Sequence, residues 1–254
     1  MAMLEFKDVT KRFGGLTAVG NVDFTVDDDN IVGLIGPNGA GKTTIFNLIT
    51  GVYKVTEGNI IFQGNEITNK EPYLIAQCGI TRTFQNIRLF KKLTVYENVL
   101  TACHYNGNYN IAETFLRLPK CRKEERKLKG QTEELLEIMG LMDRKEMIAD
   151  NLPYGLQRRL EIARALALNP QLLLLDEPAA GMNPDETEQL MSLISYIREK
   201  FGVSVLIIDH HMDLVMGICE KIVVLNFGCK LAEGTPSEIQ GNSKVVEAYL
   251  GVEG

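Results

Sequence analysis

The chain has few of the features that mark secreted, membrane-spanning or disulfide-rich proteins. Its five cysteines are an odd number, lie far apart and include no CxxC pair. We therefore expect neither a disulfide framework nor a zinc site, and a reducing compartment is favoured. No apolar run approaches the ~20 residues that span a bilayer, and early charged residues interrupt the apolar stretch that a signal peptide needs. Any membrane role is expected to come through a partner.

A surplus of basic residues is also missing. Lysine and arginine number 27 against 33 aspartate and glutamate residues, which gives a formal net charge of -6. This balance argues against a general nucleic-acid-binding protein, because such proteins usually carry a basic surplus. Hydrophobic residues make up 45% of the 254 residues. That share is ordinary for a globular protein, and the length is sufficient for a sizeable core.

Short apolar runs alternate with helical patterns along the chain. Helical patterns dominate from about 93 to 168. Buried strands that alternate with helices predict an α/β fold with a largely parallel central sheet, and the helical middle is predicted to be an insertion between its two halves. Strands are predicted at 4–9, 22–26, 31–35, 58–64, 172–175, 203–208 and 221–226.

Residues 36–43 match the phosphate-loop pattern GxxxxGK[ST] at every fixed position. Glycines allow backbone N–H groups to turn toward phosphate oxygens, and the helix that follows directs its positive end to the same place. In such a loop Lys42 reaches the β- and γ-phosphates, and Thr43 offers its hydroxyl to Mg²⁺. A chance match is the alternative. The loop lies between a predicted buried strand and a predicted helix, so we predict nucleotide binding.

Two carboxylates follow a run of four leucines, 172–175. Asp176 and Glu177 thus stand at the predicted carboxyl end of a strand, where open α/β sheets bind ligands. Asp176 could hold Mg²⁺ through water, and Glu177 is placed to accept a proton from an attacking water. The alternative is that both residues cap a helix. The phosphate loop favours the catalytic interpretation.

Three further candidates are weak when each is taken alone. Phe13 could be a core residue, Gln85 any surface glutamine, and His210 an ordinary histidine at a strand end. Taken in order with the phosphate loop, the segment 152–157 and the two carboxylates, they are specific. This order resembles that of the ATP-binding-cassette (ABC) ATPases across nearly the whole chain.

The resemblance implies a fold and a division of the chain. The fold is a P-loop NTPase core with an N-terminal antiparallel β subdomain and an inserted helical subdomain. The chain 1–254 would be a single ABC ATPase domain. Its core and β subdomain would comprise approximately 1–84 and 160–254, and the helical signature subdomain 85–159.

The resemblance also implies roles for individual residues. Phe13 would stack on adenine, Gln85 would contact Mg²⁺ and the attacking water, and His210 would contact the γ-phosphate. Glu177 and His210 form the implied catalytic pair, and Mg²⁺ would be held by Thr43, Gln85 and Asp176, partly through water. The implied nucleotide-binding residues are Phe13, Val19, Gly36, Asn38, Gly39, Ala40, Gly41, Lys42, Thr43, Thr44, Gln85 and Asp176.

The signature segment departs from the family's common Leu-Ser-Gly-Gly-Gln. Residues 152–156 read Leu-Pro-Tyr-Gly-Leu, so Pro153 stands where the serine is usual. These ATPases act as head-to-tail dimers with ATP between one subunit's phosphate loop and the other's signature. The trans contacts would come from Tyr154, Gly155 and Gln157. Without the serine hydroxyl, but with the helix dipole still available, we expect a weak ATP-bound dimer.

One further departure follows the switch histidine. His211 stands where relatives often have aspartate, which leaves a one-residue ambiguity in the assignment of His210.

The finer resemblance is to the ATP-binding subunits of branched-chain amino acid importers, carried by residues 83–90, 93–99, 177–185 and 247–251. It implies an ATPase at the cytoplasmic face of the cell membrane that couples MgATP hydrolysis to amino acid uptake. The implied partners are transmembrane permease subunits and a second ATP-binding subunit, alike or different. A periplasmic or extracellular solute-binding protein would take part indirectly, and no nucleic acid would.

Alternative functions remain at this point. The related alternatives are the ATPase of a urea or amide importer and that of a lipopolysaccharide exporter. A soluble ABC protein of DNA repair or translation is disfavoured, because such proteins usually carry a coiled-coil insertion or a second cassette and this sequence shows neither. A non-hydrolysing regulatory cassette is disfavoured by the presence of Glu177. Apolar residues at 82–96 are expected to line a groove for a permease, and internal packing is the alternative.

Overall fold

The computed structural model describes residues 2–106 and 119–250. Residues 107–118 of the predicted helical subdomain, Gly251 of the terminal motif and the outermost ends of the predicted domain 1–254 lie outside these ranges. The chain divides into two compact units. The first comprises the residues up to Gln85 and those from Gln171 onward, and the second runs from Asn86 to Pro170.

Helices and strands are numbered here along the chain. The strands are β1 Ala2–Phe13, β2 Leu16–Asp27, β3 Ile31–Ile35, β4 Glu57–Phe62, β5 Asn65–Glu66, β6 Ile80–Arg82, β7 Leu172–Asp176, β8 Ser204–Ile208, β9 Lys221–Asn226 and β10 Cys229–Gly234. The helices are α1 Lys42–Ile49, α2 Pro72–Gln77, α3 Val95–Cys103, α4 Pro119–Ile138, α5 Tyr154–Leu166, α6 Pro184–Phe201, α7 Met212–Ile218, α8 Pro236–Gln240 and α9 Ser243–Leu250.

The first unit contains two sheets. An antiparallel sheet has the strand order β2-β1-β4-β5, and a six-stranded sheet has the order β10-β9-β3-β8-β7-β6. In the second sheet β9, β3, β8, β7 and β6 are parallel, and β10 joins the edge antiparallel to β9. The predicted α/β fold with an antiparallel β subdomain is therefore confirmed.

The two sheets share one hydrophobic core. The side chains of β3, β7 and β8 are buried along the whole length of each strand, as expected for strands covered on both faces. Phe6 and Phe24 of the antiparallel sheet stack with ring centroids 4.5 Å apart. They belong to the same buried cluster as Leu34, Leu174 and Leu206 of the parallel sheet. This core fixes the strands whose ends carry the functional residues.

In its described residues, the second unit contains the helices α3, α4 and α5. Thr94 begins α3 in a reciprocal capping arrangement with Glu97, which satisfies two backbone N–H groups. Arg158 of α5 is fully buried. Its Nη1 lies 2.7 Å from Glu161 Oε2, and Glu161 Oε1 accepts the backbone N–H of Arg88 at 3.1 Å. A paired charge inside this small helical unit thus ties α5 to the segment that precedes α3.

Some elements differ from the sequence predictions. The sequence predicts the helix after the phosphate loop at 44–50, whereas α1 begins at Lys42, directly after Gly41 in its left-handed conformation (φ 101°). Strand β6 was not predicted, since three residues are too few to show a periodic pattern. None of the helices in the described residues is both long and apolar enough to cross a membrane.

Candidate active site

The parallel register brings the ends of three adjacent strands together. The phosphate loop follows β3, Asp176 ends β7 and is followed by Glu177, and Asp209 follows β8. In the β7–β8 ladder Asp176 lies opposite Ile208. The carboxyl edge of the sheet is therefore the place where the predicted loop and carboxylates meet, as the topology rule for open α/β sheets requires.

The phosphate loop needs its glycines for two physical reasons. Gly36, Gly39 and Gly41 have φ values of 150°, 81° and 101°, which side chains on L-residues disfavour. A Cβ at Gly36 would also lie 2.2 Å from the carbonyl oxygen of Leu225. Ala40 closes the turn by donating its N–H to Pro37 at 3.1 Å. Only glycine at these positions leaves the backbone free to enclose a phosphate.

Lys42 lies inside this loop. Its Nζ donates to the carbonyl oxygens of Gly36 at 2.7 Å and of Pro37 at 2.9 Å. Burial lowers the pKa of Lys42, while the carboxylates of Glu177 and Asp176 act in the opposite direction. An ammonium group that donates to neutral carbonyls would bind a phosphate oxygen more strongly, because both partners of the hydrogen bond would then be charged.

Residues from both ends of the chain surround the loop. Val19 of β2 is fully buried, and a Cβ placed on Gly41 would lie 3.4 Å from its Cγ2. Tyr249 of α9 makes a hydrogen bond with the Gly36 backbone. Burial raises the pKa of its phenol, and this hydrogen bond offsets part of the rise. Of the remaining loop residues, Asn38, Gly39 and Thr43 are exposed, Thr44 is half-buried and Ala40 is buried.

Asp176 is held by a partner that the sequence analysis missed. Its Oδ2 lies 2.6 Å from Nη2 of Arg82, and both side chains are almost completely buried. Arg82 also donates from Nη1 to Asn47 Oδ1 at 2.7 Å. Arg82 lies on the short strand β6, so strand periodicity gave no signal. The signal that could have identified Arg82 is a single arginine at the end of the strand that pairs with the strand before the two carboxylates.

Glu177 is the centre of a second cluster. Its Oε2 accepts a hydrogen bond from Gln85 Nε2 at 2.8 Å, and its Oε1 lies 3.5 Å from His210 Nδ1. The backbone of Glu177 is left-handed (φ 48°), and its N–H donates to Ile208 at 2.7 Å. The structure thus brings together Gln85, Glu177 and His210. His211 points elsewhere, with Nδ1 2.6 Å from Asp209 Oδ1, so the geometry favours His210 in the switch position.

Phe13 lies at the end of β1 and is 41% exposed. Its ring meets Tyr53 edge-on with centroids 5.1 Å apart, and Lys11 Nζ lies 4.7 Å from its centroid. Within the described residues these ring contacts do not include the phosphate loop. An exposed aromatic face of this kind is available for stacking.

The signature residues belong to the second unit. Pro153 is the residue before α5, no side chain caps the start of this helix, and Tyr154 and Gly155 follow in its first turn. Gln157 turns back, and its Nε2 donates to the carbonyl of Leu152 at 2.9 Å. Tyr154 is exposed, and its hydroxyl accepts from Arg158 Nη2 at 3.4 Å. The segment therefore presents a helix N-terminus that no side chain caps.

The phosphate loop and the strand-end carboxylates define a P-loop nucleotide-binding protein. The family model for "ABC transporter" matches residues 19–180, and that for "Branched-chain amino acid ATP-binding cassette transporter" matches 229–254. The chain belongs to the ABC transporter family, as one of its ATP-binding cassettes, and the predicted resemblance is confirmed.

Named relatives give a narrower comparison. The chain is 47% identical to the high-affinity branched-chain amino acid transport ATP-binding protein BraF of Pseudomonas aeruginosa and 45% identical to LivG of Escherichia coli, over 98% of each chain. It is 34% identical to the lipopolysaccharide export system ATP-binding protein LptB of Haemophilus influenzae, over 99% of this chain and 98% of LptB. A nucleotide-free ATP-binding cassette from an ABC transporter superposes with a TM-score of 0.85 at 32% identity, over 99% of this chain and 100% of that one.

Substituting Lys42 tests the phosphate loop. Lys42→Ala removes the ammonium group that lies inside the loop, and a hydrogen bond to a charged acceptor is worth about 1.5–3 kcal/mol. We expect ATP affinity to fall roughly tenfold to a hundredfold in a calorimetric titration, with circular dichroism unchanged. Lys54→Ala is the matched control, because Lys54 pairs with Glu71 on the surface of the same unit. Undiminished affinity in folded Lys42→Ala would contradict the site.

Proposed function

We propose that this chain is the ATP-hydrolysing subunit of an importer of branched-chain amino acids. The identity of 45–47% with BraF and LivG over nearly the whole chain supports this, and so does the family match at residues 229–254. On this proposal the protein works at the cytoplasmic face of the membrane with permease subunits, a second ATP-binding subunit and, indirectly, a solute-binding protein. It forms one ABC ATPase domain, with the helical unit as its signature subdomain.

The chemistry proposed is in-line attack of water on the γ-phosphorus. Glu177 accepts the proton of the water. Gln85 and His210 hold its carboxylate, and on this proposal Gln85 also contacts the water while His210 contacts the γ-phosphate. Lys42 and the N–H groups of the loop stabilise the charge that develops on the phosphate oxygens. The contact of Gln85 with Glu177 at 2.8 Å is the observation that supports this arrangement.

A magnesium ion fits the oxygen donors at the sheet edge. Carboxylate and hydroxyl oxygens are the ligands that Mg²⁺ prefers, and Asp176 and Thr43 supply one of each beside Lys42. Asp176 would hold the ion through water and Gln85 would complete the set. The bound ion would neutralise charge between the β- and γ-phosphates. The pairing of Asp176 with Arg82 orients this carboxylate.

Glu177→Gln separates hydrolysis from binding. The substitution keeps the size of the side chain but removes the base, so we expect hydrolysis to fall by roughly 10²–10⁴-fold. MgATP affinity should stay close to that of the wild type. Asp176→Asn is the contrasting variant, since it should weaken Mg²⁺-dependent binding first. Wild-type hydrolysis by Glu177→Gln in a phosphate-release assay would show that the base is assigned wrongly.

The signature segment predicts how strongly two copies associate. We propose that ATP closes a head-to-tail dimer and that hydrolysis reopens it, so that ATP acts through its greater affinity for the closed state. Pro153 supplies no hydroxyl and no side chain caps α5. One missing hydrogen bond to a charged phosphate costs about 1.5–3 kcal/mol. The purified protein should then be mainly monomeric even with ATP.

Pro153→Ser should strengthen ATP-dependent dimerisation, measured by sedimentation with and without MgATP in the Glu177→Gln background. Pro153→Ala is the matched control, because it removes the proline ring without adding a hydroxyl. Gly155→Asp should abolish association, since its carboxylate would face the partner's phosphates. Equal dimer affinity for the wild type and Pro153→Ser, or an equal gain in Pro153→Ala, would refute the role of the hydroxyl.

A partner surface is proposed around Phe90 in the second unit. Phe90 is 46% exposed, and the guanidinium carbon of Arg164 lies 4.5 Å from its ring centroid. Ile87 and Leu89 beside it are half-buried. An aromatic ring held in place by a cation yet open to solvent suits an interface with a permease.

Phe90→Glu should uncouple transport from hydrolysis. In proteoliposomes that contain the permeases and the solute-binding protein, we expect leucine uptake to fall at least tenfold with basal ATPase unchanged. Tyr105→Glu is the control, as an exposed aromatic residue of the same unit. Intact uptake by Phe90→Glu, or loss of folding, would count against this surface. The same assay decides between the proposed solute and urea or amides, and copurification with lipopolysaccharide-export permeases would favour the exporter related to LptB.

A further inference from the structure

Asp209 is a buried carboxylate to which the sequence analysis gave no role. It follows β8 directly, and only 1% of its surface is exposed. Its Oδ1 accepts the backbone N–H groups of His210 at 2.7 Å and His211 at 2.9 Å, and lies 2.6 Å from His211 Nδ1. Its Oδ2 accepts the N–H of Ala179 at 3.2 Å. One side chain therefore joins two segments of the sheet edge.

The two segments are those that carry the reacting groups. Ala179 lies two residues after Glu177, and His210 is the residue whose Nδ1 faces the Glu177 carboxylate. Glu177 itself has a left-handed backbone (φ 48°), a conformation that persists in a residue with a side chain only when its surroundings hold it. The bond from Glu177 N–H to Ile208 and the bond from Ala179 N–H to Asp209 fix the turn on both sides of this conformation.

The charge of Asp209 is balanced by donors. An ionised carboxylate can only accept hydrogen bonds. In the contact between His211 and Asp209 Oδ1 the proton therefore lies on Nδ1 of the histidine ring. Three backbone N–H groups and this ring N–H then satisfy the buried charge. A carboxylate with hydrogen bonds of this kind is rigid, because each donor is part of the backbone or of a ring that the carboxylate itself orients.

We propose that Asp209 is a positioning residue for ATP hydrolysis. Through Oδ2 it holds the turn that orients Glu177, and through Oδ1 it holds the segment that presents His210. The inference rests on the proposed function, because it assigns Asp209 an effect only through Glu177 and His210. Asp209 touches neither nucleotide nor water in this role.

Asp209→Asn cuts one of these connections selectively. The amide oxygen of asparagine can take the place of Oδ1 and accept the donors from His210 and His211. Its amide nitrogen then faces the Ala179 N–H, and two donors oppose each other. The turn after Glu177 is released while the side chain keeps its size. The matched control is Ser204→Ala, which removes a buried hydroxyl bonded to Asp29 N–H and the Asp27 carbonyl at the opposite end of the same strand.

The experiment is a double-mutant cycle with Glu177→Gln, read by single-turnover hydrolysis of MgATP. We expect Asp209→Asn to lower the hydrolysis rate roughly ten- to hundredfold, as misplacement of a catalytic group does, with MgATP affinity within about twofold of wild type. In the Glu177→Gln background Asp209→Asn should cause no further loss. Ser204→Ala should leave the rate unchanged in both backgrounds.

Four results would overturn the inference. A wild-type hydrolysis rate in Asp209→Asn would contradict the role of Asp209 and would leave Glu177 as the proposed base. An equal loss of rate in the wild-type and Glu177→Gln backgrounds would show a general structural effect instead. Wild-type hydrolysis by Glu177→Gln would overturn the proposed function and this inference together. If Asp209→Asn does not fold, His211→Phe enters the same cycle, because it removes the ring N–H that donates to the Asp209 carboxylate. A wild-type rate there would overturn the inference as well.

Discussion

The parallel register of β3, β7 and β8 is the constraint on which the site depends. Asp176 lies opposite Ile208, and Gly33 lies opposite Ile207, so the three strands end at one level. A slip of one residue in β7 would turn Asp176 to the other face of the sheet and would move Glu177 away from the β8 end. The continuous burial of these strands keeps that register, because a slip would leave the packed leucines and isoleucines without their partners.

Buried charge at this edge is balanced in three different ways. Asp176 has a guanidinium partner, Arg82, whose fork also reaches Asn47. Lys42 has two carbonyl oxygens and the more distant attraction of carboxylates. Asp209 has backbone N–H groups and a histidine ring. Each solution avoids the free-energy cost of an uncompensated buried ion, but they differ in how easily the partner can be exchanged.

The sequence predicted the parts of the site that are contiguous along the chain. The residues of the phosphate loop, and the pair Asp176 and Glu177, each lie within a few residues of one another, so spacing alone was enough to predict them as site residues. The Arg82–Asp176 pair joins residues far apart in sequence and depends on β6, which is too short to show a period. Asp209 was overlooked although it directly follows a predicted buried strand, 203–208, as Asp176 follows the predicted strand 172–175. Asp176 is followed by Glu177, and the two together form a recognisable motif. Asp209 has no such motif beside it, and its hydrogen bond with Ala179 forms only once the strands have paired.

The charged residues of the site differ in whether a ligand could replace their hydrogen-bond partners. Asp209 accepts hydrogen bonds from three backbone N–H groups, those of Ala179, His210 and His211, and a ligand cannot displace such donors without moving the main chain. Lys42 is bound to neutral carbonyls of its own loop, which a phosphate can replace at a gain because its oxygens are charged. Glu177 is bound to side chains, Gln85 and His210, which can rotate toward nucleotide or water. The edge of the sheet is thus held by hydrogen bonds to the main chain, whereas Lys42 and Glu177 are held by contacts that a bound ligand can replace without any change in that edge.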